Sequence, residues 1–194
     1  MNTKTLDGIV ISLDHEDFHI TQPPNRLYTS FSSQYLPHYI NGLVDPSTFD
    51  TDQSLGEGMN PEYLNNYRRF LSSRHVHLGT LFQAGFCNPR YDITFCFTTD
   101  RIFSGIYRVG DHDCLAQALM YGTNHPLDTI FKNPADYEEG DEIIVPRLDL
   151  KQATEILVYS PEATKKIIEL PHFSHIPISD LTEVRQKATE LLFK

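Results

Sequence analysis

Two histidines and a glutamate are the side chains of this sequence whose types and spacing best suit chemistry. The segment SRHVHLGTLFQAGF places His75 and His77 one residue apart and follows them with Gly79 and Thr80. Residues two apart on a β-strand point to the same side, so both imidazoles would face a shared metal, with residues 111–113 (DHD) as supplementary ligands. The alternatives are a solvent-facing polar strand and a substrate pocket lined by His77 and Thr80, where free backbone N–H groups at a strand-to-helix junction favour anions.

Glu142 is the third candidate, at the point where an acidic loop becomes an apolar strand. The sequence YEEGDEIIVP places Glu138, Glu139 and Asp141 just before it. A carboxylate on the first residue of a strand is held rigidly, and neighbouring negative charges raise carboxyl pKa values unless solvent screens them. A solvated acidic turn explains the same residues, and the local sequence leaves both interpretations open.

The cysteines and the short motifs exclude several common classes of site. Cys87, Cys96 and Cys114 are odd in number and lack C-x-x-C spacing, which argues against a disulfide framework or a structural zinc site. Core packing is a commoner use of such cysteines than nucleophilic catalysis. The sequence has no G-x-S-x-G, P-loop, G-x-G-x-x-G or H-E-x-x-H motif, so the standard hydrolase and nucleotide signatures do not apply.

Composition predicts an ordinary globular domain that spans residues 1–194. The 194 residues are 40% hydrophobic and 22% charged, and 26 acidic against 16 basic residues give a net charge of −10. That charge opposes general binding to nucleic acid, which depends on clustered lysine and arginine. No stretch has the length and hydrophobicity of a signal peptide or a membrane span. We therefore expect no membrane partner and a cytoplasmic location, or delivery into a host or target cell without a cleaved signal.

The elements that must position these side chains are short and mixed. Apolar alternation and β-branched residues predict strands, whereas helical spacing with capping residues predicts helices. The last two predicted strands are neighbours in sequence, which favours an antiparallel pair. The polar segment Asp45 to Asn60 predicts a surface loop near the pocket mouth. Strands are expected in 8–13, 26–31, 74–80, 91–100, 101–109, 142–146 and 154–160, and helices in 32–43, 60–73, 80–86, 111–122 and 179–194.

The order of these elements resembles the ADP-ribosyltransferases. Three segments carry the resemblance: NRLYTSFSSQYLPHYINGLVDPS as an opening strand and helix, HVHLGTLFQAG as a strand with a Gly-Thr step, and GDEIIVPRLDLKQATEILV as a closing hairpin with a glutamate. Together they cover most of residues 25–160. The resemblance implies an α+β fold with a split, mostly antiparallel sheet, flanking helices and NAD in a cleft.

The activity implied by the resemblance is NAD-dependent ADP-ribosyl transfer, as in a bacterial toxin or effector. The enzyme would cleave the nicotinamide–ribose bond, with Glu142 as the catalytic carboxylate, and would pass ADP-ribose to an unidentified acceptor such as a protein side chain or a nucleotide. No metal is implied. The NAD contacts would come from Arg26 with Tyr28, Thr29 and Ser30 on the opening strand, from His77 and Thr80 on the adenosine side, and from Tyr107 or Tyr91 stacked on nicotinamide.

Two other function classes remain open from the sequence. One is a non-enzymatic binding or interaction module on the same fold, for which the acidic surface would be the working feature. The other is a metal-dependent hydrolase that uses His75, His77 and His112. Binding of NAD to the pure protein would favour the enzyme over the interaction module. Metal bound to the purified protein would favour the metal-dependent hydrolase.

Overall fold

A computed structural model describes residues 2–6, 9–13, 18–45, 66, 76–121 and 131–192. These residues form a mixed α and β structure with several mostly antiparallel sheets and four α-helices. The predicted helix in 60–73, apart from residue 66, nearly all of the predicted loop from Asp45 to Asn60, and His75 lie outside the described residues.

The helices and strands are short, as the sequence pattern predicts. The helices are α1 (Thr99–Phe103), α2 (His112–Tyr121), α3 (Pro161–Ile168) and α4 (Thr182–Leu192). The strands are β1 (Asn2–Leu6), β2 (Ile9–Leu13), β3 (Phe18–Thr21), β4 (Arg26–Phe31), β5 (Leu43–Val44), β6 (Val76–Leu78), β7 (Ile93–Thr98), β8 (Arg108–Gly110), β9 (Phe131–Lys132), β10 (Glu142–Val145), β11 (Leu148–Asp149), β12 (Glu155–Val158) and β13 (Ile178–Asp180).

Two four-stranded sheets make up the body of the structure. Sheet A has the strand order β6-β10-β8-β9, and sheet B has the order β13-β12-β7-β4. Neighbouring strands in these two sheets are antiparallel, except that β12 and β13 are parallel. Helix α3 connects β12 to β13. Strands β1 to β3 form a separate antiparallel meander, and β5 pairs with β11.

Sheets A and B meet at one backbone bridge. Tyr28 of β4 and Gly79, which follows β6, exchange two hydrogen bonds of 2.8 and 3.0 Å between their N–H and C=O groups. The bridge places the end of β6 beside the opening strand of sheet B. His77 lies two residues before Gly79, so it sits next to the junction of the sheets.

Two apolar clusters hold the sheets in place. The larger lies between the sheets and contains Val109 and Ile143 from sheet A with Phe95 and Ile156 from sheet B. The second lies on the other face of sheet B, where the meander and helix α4 cover it. Alternating residues of β12 therefore enter different cores, which explains why that strand is apolar on both faces.

Several sequence predictions of strands and helices are confirmed. Strands occur at β2, β4, β6, β7, β10 and β12, and helices occur at α2 and α4. The Asp111 carboxylate accepts a 2.9 Å hydrogen bond from the N–H of Cys114, and the Asp180 carboxylate accepts one of 2.8 Å from the N–H of Thr182. Both aspartates satisfy N–H groups in the first turn of their helices, as capping residues do.

Three helix and strand predictions are wrong in ways that local chemistry explains. The region 32–43, expected to form a helix interrupted or begun around Pro37, forms two 3-10 helices, Ser33–His38 and Ile40–Gly42, because Pro37 lies inside the first and Asn41 has a left-handed φ of 53°. Residues 81–87 form turns, because Gly85 has a φ of 91° and the side chain of Gln83 binds the N–H of Thr80. The region 101–109 begins in helix α1 and becomes a strand only at β8.

The predicted closing hairpin is also wrong. Strand β10 pairs with β6 and β8 in sheet A, whereas β12 pairs with β7 and β13 in sheet B. Between them, β11 pairs with β5 and a 3-10 helix, Leu150–Gln152, follows. The chain therefore passes from sheet A to sheet B between β10 and β12, where the sequence predicts a hairpin within one sheet.

Candidate functional site

The candidate site lies on the face of sheet A that is turned away from the main core. Residues directly opposite each other in neighbouring strands place their side chains on the same face. Glu142 is opposite Gly110, and Ile144 is opposite both His77 and Arg108. Val76, Leu78, Val109, Ile143 and Val145 alternate with these residues and fill the main core. The alternation therefore brings His77, Glu142 and Arg108 to one face.

Two histidines bind the two oxygens of the Glu142 carboxylate. His77 Nδ1 lies 2.8 Å from Oε2, and His112 Nδ1 lies 2.7 Å from Oε1. The Glu142 side chain is only 15% exposed, whereas the His77 and His112 side chains are 27% and 36% exposed. The carboxylate is thus enclosed between two rings that are more open to solvent than it is. We call these three residues the His-Glu-His cluster.

Glu142 is ionised at neutral pH in this environment. Burial raises the pKa of its carboxyl, but the hydrogen bonds and charges of His77 and His112 outweigh burial and leave the pKa below its ordinary value. An ionised carboxylate only accepts hydrogen bonds, so the Nδ1 atom of each ring carries the hydrogen. The Glu142 carboxylate therefore carries a negative charge in a fixed position that is largely shielded from water.

Gly110 allows helix α2 to carry His112 to this position. A Cβ atom at Gly110 would collide with Cδ1 of Leu115 and lie 2.8 Å from its Cγ, and Leu115 is itself buried. Gly110 is directly opposite Glu142 on the neighbouring strand, so the helix packs over the one position of β8 that has no side chain. The close packing of α2 on sheet A therefore depends on this glycine.

We expect Gly110→Ala to disturb the site through packing alone. The added methyl would force Leu115 and helix α2 outward, and overpacking of this kind costs about 1–3 kcal/mol of stability. The matched control is Gly105→Ala, because the nearest atom to a Cβ at Gly105 is 3.5 Å away. Denaturant unfolding of both variants measures the effect. Equal stability of the two would contradict the close approach of α2.

The loop before Glu142 is braced by side chains from two directions. Gln83 donates a 2.6 Å hydrogen bond to the carbonyl of Gly140 and accepts one of 2.8 Å from the N–H of Thr80. The buried Asp141 carboxylate receives Lys132 Nζ at 2.8 Å and the N–H of Glu138 at 2.8 Å. Thr80 and Asp141 therefore stabilise the backbone that carries Glu142. Gln83 is not among the site residues predicted from the sequence, although its position in the turn after β6 could have suggested this contact.

Arg26 lies in sheet B and forms an ion pair with Glu155, a carboxylate that is not among the site residues predicted from the sequence. Its guanidinium Nη1 is 3.3 Å from Oε2 of Glu155, and Ser179 Oγ donates a 2.6 Å hydrogen bond to Oε1. The side chains of Arg26 and Glu155 are only 13% and 5% exposed. Glu155 begins β12 much as Glu142 begins β10. The chain thus has two strand-initial glutamates, each held by cationic or hydrogen-bonding partners.

The other residues predicted to contact NAD are spread over both sheets. The Tyr28 ring is buried in the second core, and Thr29 is also buried in β4. Ser30 Oγ lies 2.6 Å from the hydroxyl of Thr94. The structure thus brings His77 to Glu142 and places these three residues along β4.

The two tyrosines proposed to stack on nicotinamide lie away from Glu142. Tyr107 precedes β8 at the end opposite Gly110 and stacks on Phe103, with ring centroids 4.8 Å apart. Tyr91 precedes β7 in sheet B, and its carbonyl accepts a hydrogen bond from Arg185. Neither ring is part of the His-Glu-His cluster as the structure describes it.

The described residues contain no set of ligands for the metal site that was considered as an alternative. In that part of the chain, no group of three or more histidine, cysteine, aspartate or glutamate side chains has the arrangement of a metal site. His77 and His112 do converge, but the Glu142 carboxylate lies between their Nδ1 atoms. His75, the third histidine of that hypothesis, lies outside the described residues.

Comparison with known proteins provides no relative for this chain: no protein-family model, curated protein or solved structure matches it. In the described residues no helix is long and apolar enough to cross a membrane.

Proposed function

We propose that this protein is an NAD-dependent ADP-ribosyltransferase in which Glu142 is the catalytic carboxylate. The observation that carries the proposal is the His-Glu-His cluster, an ionised and largely buried carboxylate whose two oxygens are held by two histidines. The cluster lies at the start of a strand, next to the junction of two mostly antiparallel sheets. The resemblance to ADP-ribosyltransferases implies a split, mostly antiparallel sheet and a catalytic glutamate, although the closing hairpin that it implies for that glutamate is not formed, because β10 and β12 belong to different sheets.

The chemistry of NAD cleavage needs such a group. When nicotinamide departs, positive charge develops on the ribose, and a negative charge fixed beside the ring stabilises that transition state more than the ground state. A carboxylate already oriented by hydrogen bonds loses little free energy to reorganisation as the charge develops. Fixation of Glu142 by His77 and His112 therefore suits this reaction better than a solvated acidic turn would.

Arg108 supplies a cation for the phosphates of NAD on the same face. It is exposed and lies opposite Ile144, one diagonal step from Glu142, which corresponds to about 7–8 Å between backbone positions. Its guanidinium lies over the ring of Phe131, 5.1 Å from the centroid. A planar guanidinium binds phosphate oxygens in pairs, and stacking on an aromatic ring limits its motion. We assign the phosphate contact to Arg108, since Arg26 is occupied by Glu155.

Addition of NAD should raise the melting temperature of the pure protein. Ligand that binds only the native state stabilises it by mass action, by about 2.7 kcal/mol at 100 times the dissociation constant. The measurement is thermal unfolding with and without NAD, run beside an assay for released nicotinamide. The matched variant is Arg108→Met, which should reduce the shift.

Three outcomes of this experiment separate the function classes. A shift with nicotinamide release supports the transferase. A shift without release indicates an NAD-binding module that lacks activity, and no shift at millimolar NAD indicates an interaction module of another kind. The metal-dependent hydrolase is tested by elemental analysis of the purified protein, because that function requires bound metal.

A further inference from the structure

The two rings of the His-Glu-His cluster present different atoms to the surroundings. His112 is the first residue of α2, its side chain is 36% exposed, and its Nδ1 is bound to Glu142. The other ring nitrogen, Nε2, therefore points away from the carboxylate on the more open of the two rings. In contrast, the Nε2 atom of His77 is buried in protein. Of the two rings, His112 is therefore the better placed to present its Nε2 atom to a molecule that arrives from solvent.

The hydrogen bond to Glu142 also determines the tautomer of the neutral His112 ring. Because the ionised carboxylate holds the hydrogen on Nδ1, Nε2 of the neutral ring has a free lone pair. A carboxylate on the far side of an imidazole both orients the ring and stabilises the imidazolium that forms when it takes a proton. The pair thus has the features of a general base with its orienting group.

We infer that His112 is the general base that activates the acceptor, and that the acceptor is a hydroxyl compound, with water as its smallest member. This inference rests on the proposed function. The bond between ribose C1′ and nicotinamide breaks, and its electron pair leaves with the nicotinamide nitrogen. The acceptor oxygen bonds to C1′ and its proton passes to Nε2 of His112. The resulting imidazolium then releases a proton to solvent, which completes the balance.

A general base in the site favours acceptors that must lose a proton when they attack. A hydroxyl group holds its proton at neutral pH, so its attack is assisted by a base that removes the proton. A carboxylate acceptor is already ionised at neutral pH and has no proton to transfer. The presence of a base beside the catalytic carboxylate therefore favours hydroxyl side chains, ribose hydroxyls or water over aspartate and glutamate side chains.

Azide and water as competing acceptors test this role in the full chain. Azide is an anion that attacks C1′ without loss of a proton, whereas water requires the base. We expect His112→Ala to lower the rate of NAD hydrolysis about 10²-fold more than the rate of ADP-ribosyl azide formation. Azide formation should fall only as far as it does in His77→Ala, because each variant removes one hydrogen bond of Glu142. Added imidazole should restore part of the hydrolysis. The measurements are the rates of nicotinamide release and the ratio of the two products.

His77→Ala is the matched control, because it removes the other hydrogen bond of Glu142 without removing the proposed base. It should lower both reactions to the same extent. If His112→Ala lowers both reactions equally, or lowers neither, His112 is not the base and the inference fails. If the wild type releases nicotinamide with neither acceptor, the proposed function itself fails. Melting temperatures of the variants, compared with wild type, show whether a loss of rate comes from unfolding.

Discussion

Glu142→Gln is expected to lower NAD cleavage by about 10²–10³-fold, the usual cost of removing one electrostatic group that stabilises a transition state. Glutamine keeps the shape of the side chain but has no charge to oppose the cation that develops on ribose. The rate of nicotinamide release from NAD measures the effect. The melting temperature should fall only modestly, because the amide can still hydrogen-bond with His77 and His112.

Neighbouring carboxylates provide the controls for this substitution. Glu138 and Glu139 are exposed, so their glutamine variants should retain both activity and stability. Asp141→Asn is less informative, since Asp141 is buried and binds Lys132, and its loss acts through the fold. Wild-type activity in Glu142→Gln would contradict the assignment.

Glu155→Gln is the most decisive comparison. Glu155 also begins a strand, and it pairs with Arg26, the arginine to which the resemblance assigns an NAD contact. The melting temperature of Glu155→Gln should fall, because Arg26 loses its partner charge, so its activity is measured well below that temperature. Loss of activity in the folded Glu155→Gln protein, with activity preserved in Glu142→Gln, would indicate that the reaction takes place at sheet B. The opposite pattern would support the His-Glu-His cluster.

Arg26→Met should be the most destabilising of the substitutions considered. Removal of one partner of a buried ion pair leaves the other charge without compensation and costs about 3–5 kcal/mol. Glu155 is only 5% exposed, so solvent cannot take over the role of the guanidinium. Denaturant unfolding gives the free energy difference. The double variant Arg26→Met with Glu155→Gln should be more stable than Arg26→Met alone, because the isolated carboxylate is gone.

Arg147→Met is the matched control for Arg26→Met. Arg147 forms an ion pair with Asp45, with 2.7 Å between Nε and Oδ2, but its side chain is 66% exposed. Exposed pairs of this kind contribute about 0–1 kcal/mol. A loss in Arg26→Met as small as that in Arg147→Met would show that the buried pair contributes little. If the double variant still gives the wild-type melting shift with NAD, Arg26 acts in the fold and makes no NAD contact.

Local sequence patterns determined several elements of this protein. Alternation and β-branching predicted strands such as β4, β7 and β12, and capping aspartates with helical spacing predicted α2 and α4. These features depend on residues within one or two turns of each other, so the chain specifies them without reference to the rest of the fold. The same patterns identified Glu142 and His77 as chemically notable, since each lies at or near the end of a strand.

Tertiary structure alone decided which of these residues meet. Glu142 joins His77 from 65 positions earlier and His112 from 30 positions earlier, and Arg26 joins Glu155 across 129 positions. The predicted hairpin between β10 and β12 failed for the same reason, because strand partners are chosen by the burial of whole sheet faces. His112 of helix α2 reaches Glu142 because Gly110, which has no side chain, leaves space for the helix on β8. Side-chain spacing along a chain carries information about local conformation, whereas a site of this kind is assembled by packing between distant segments.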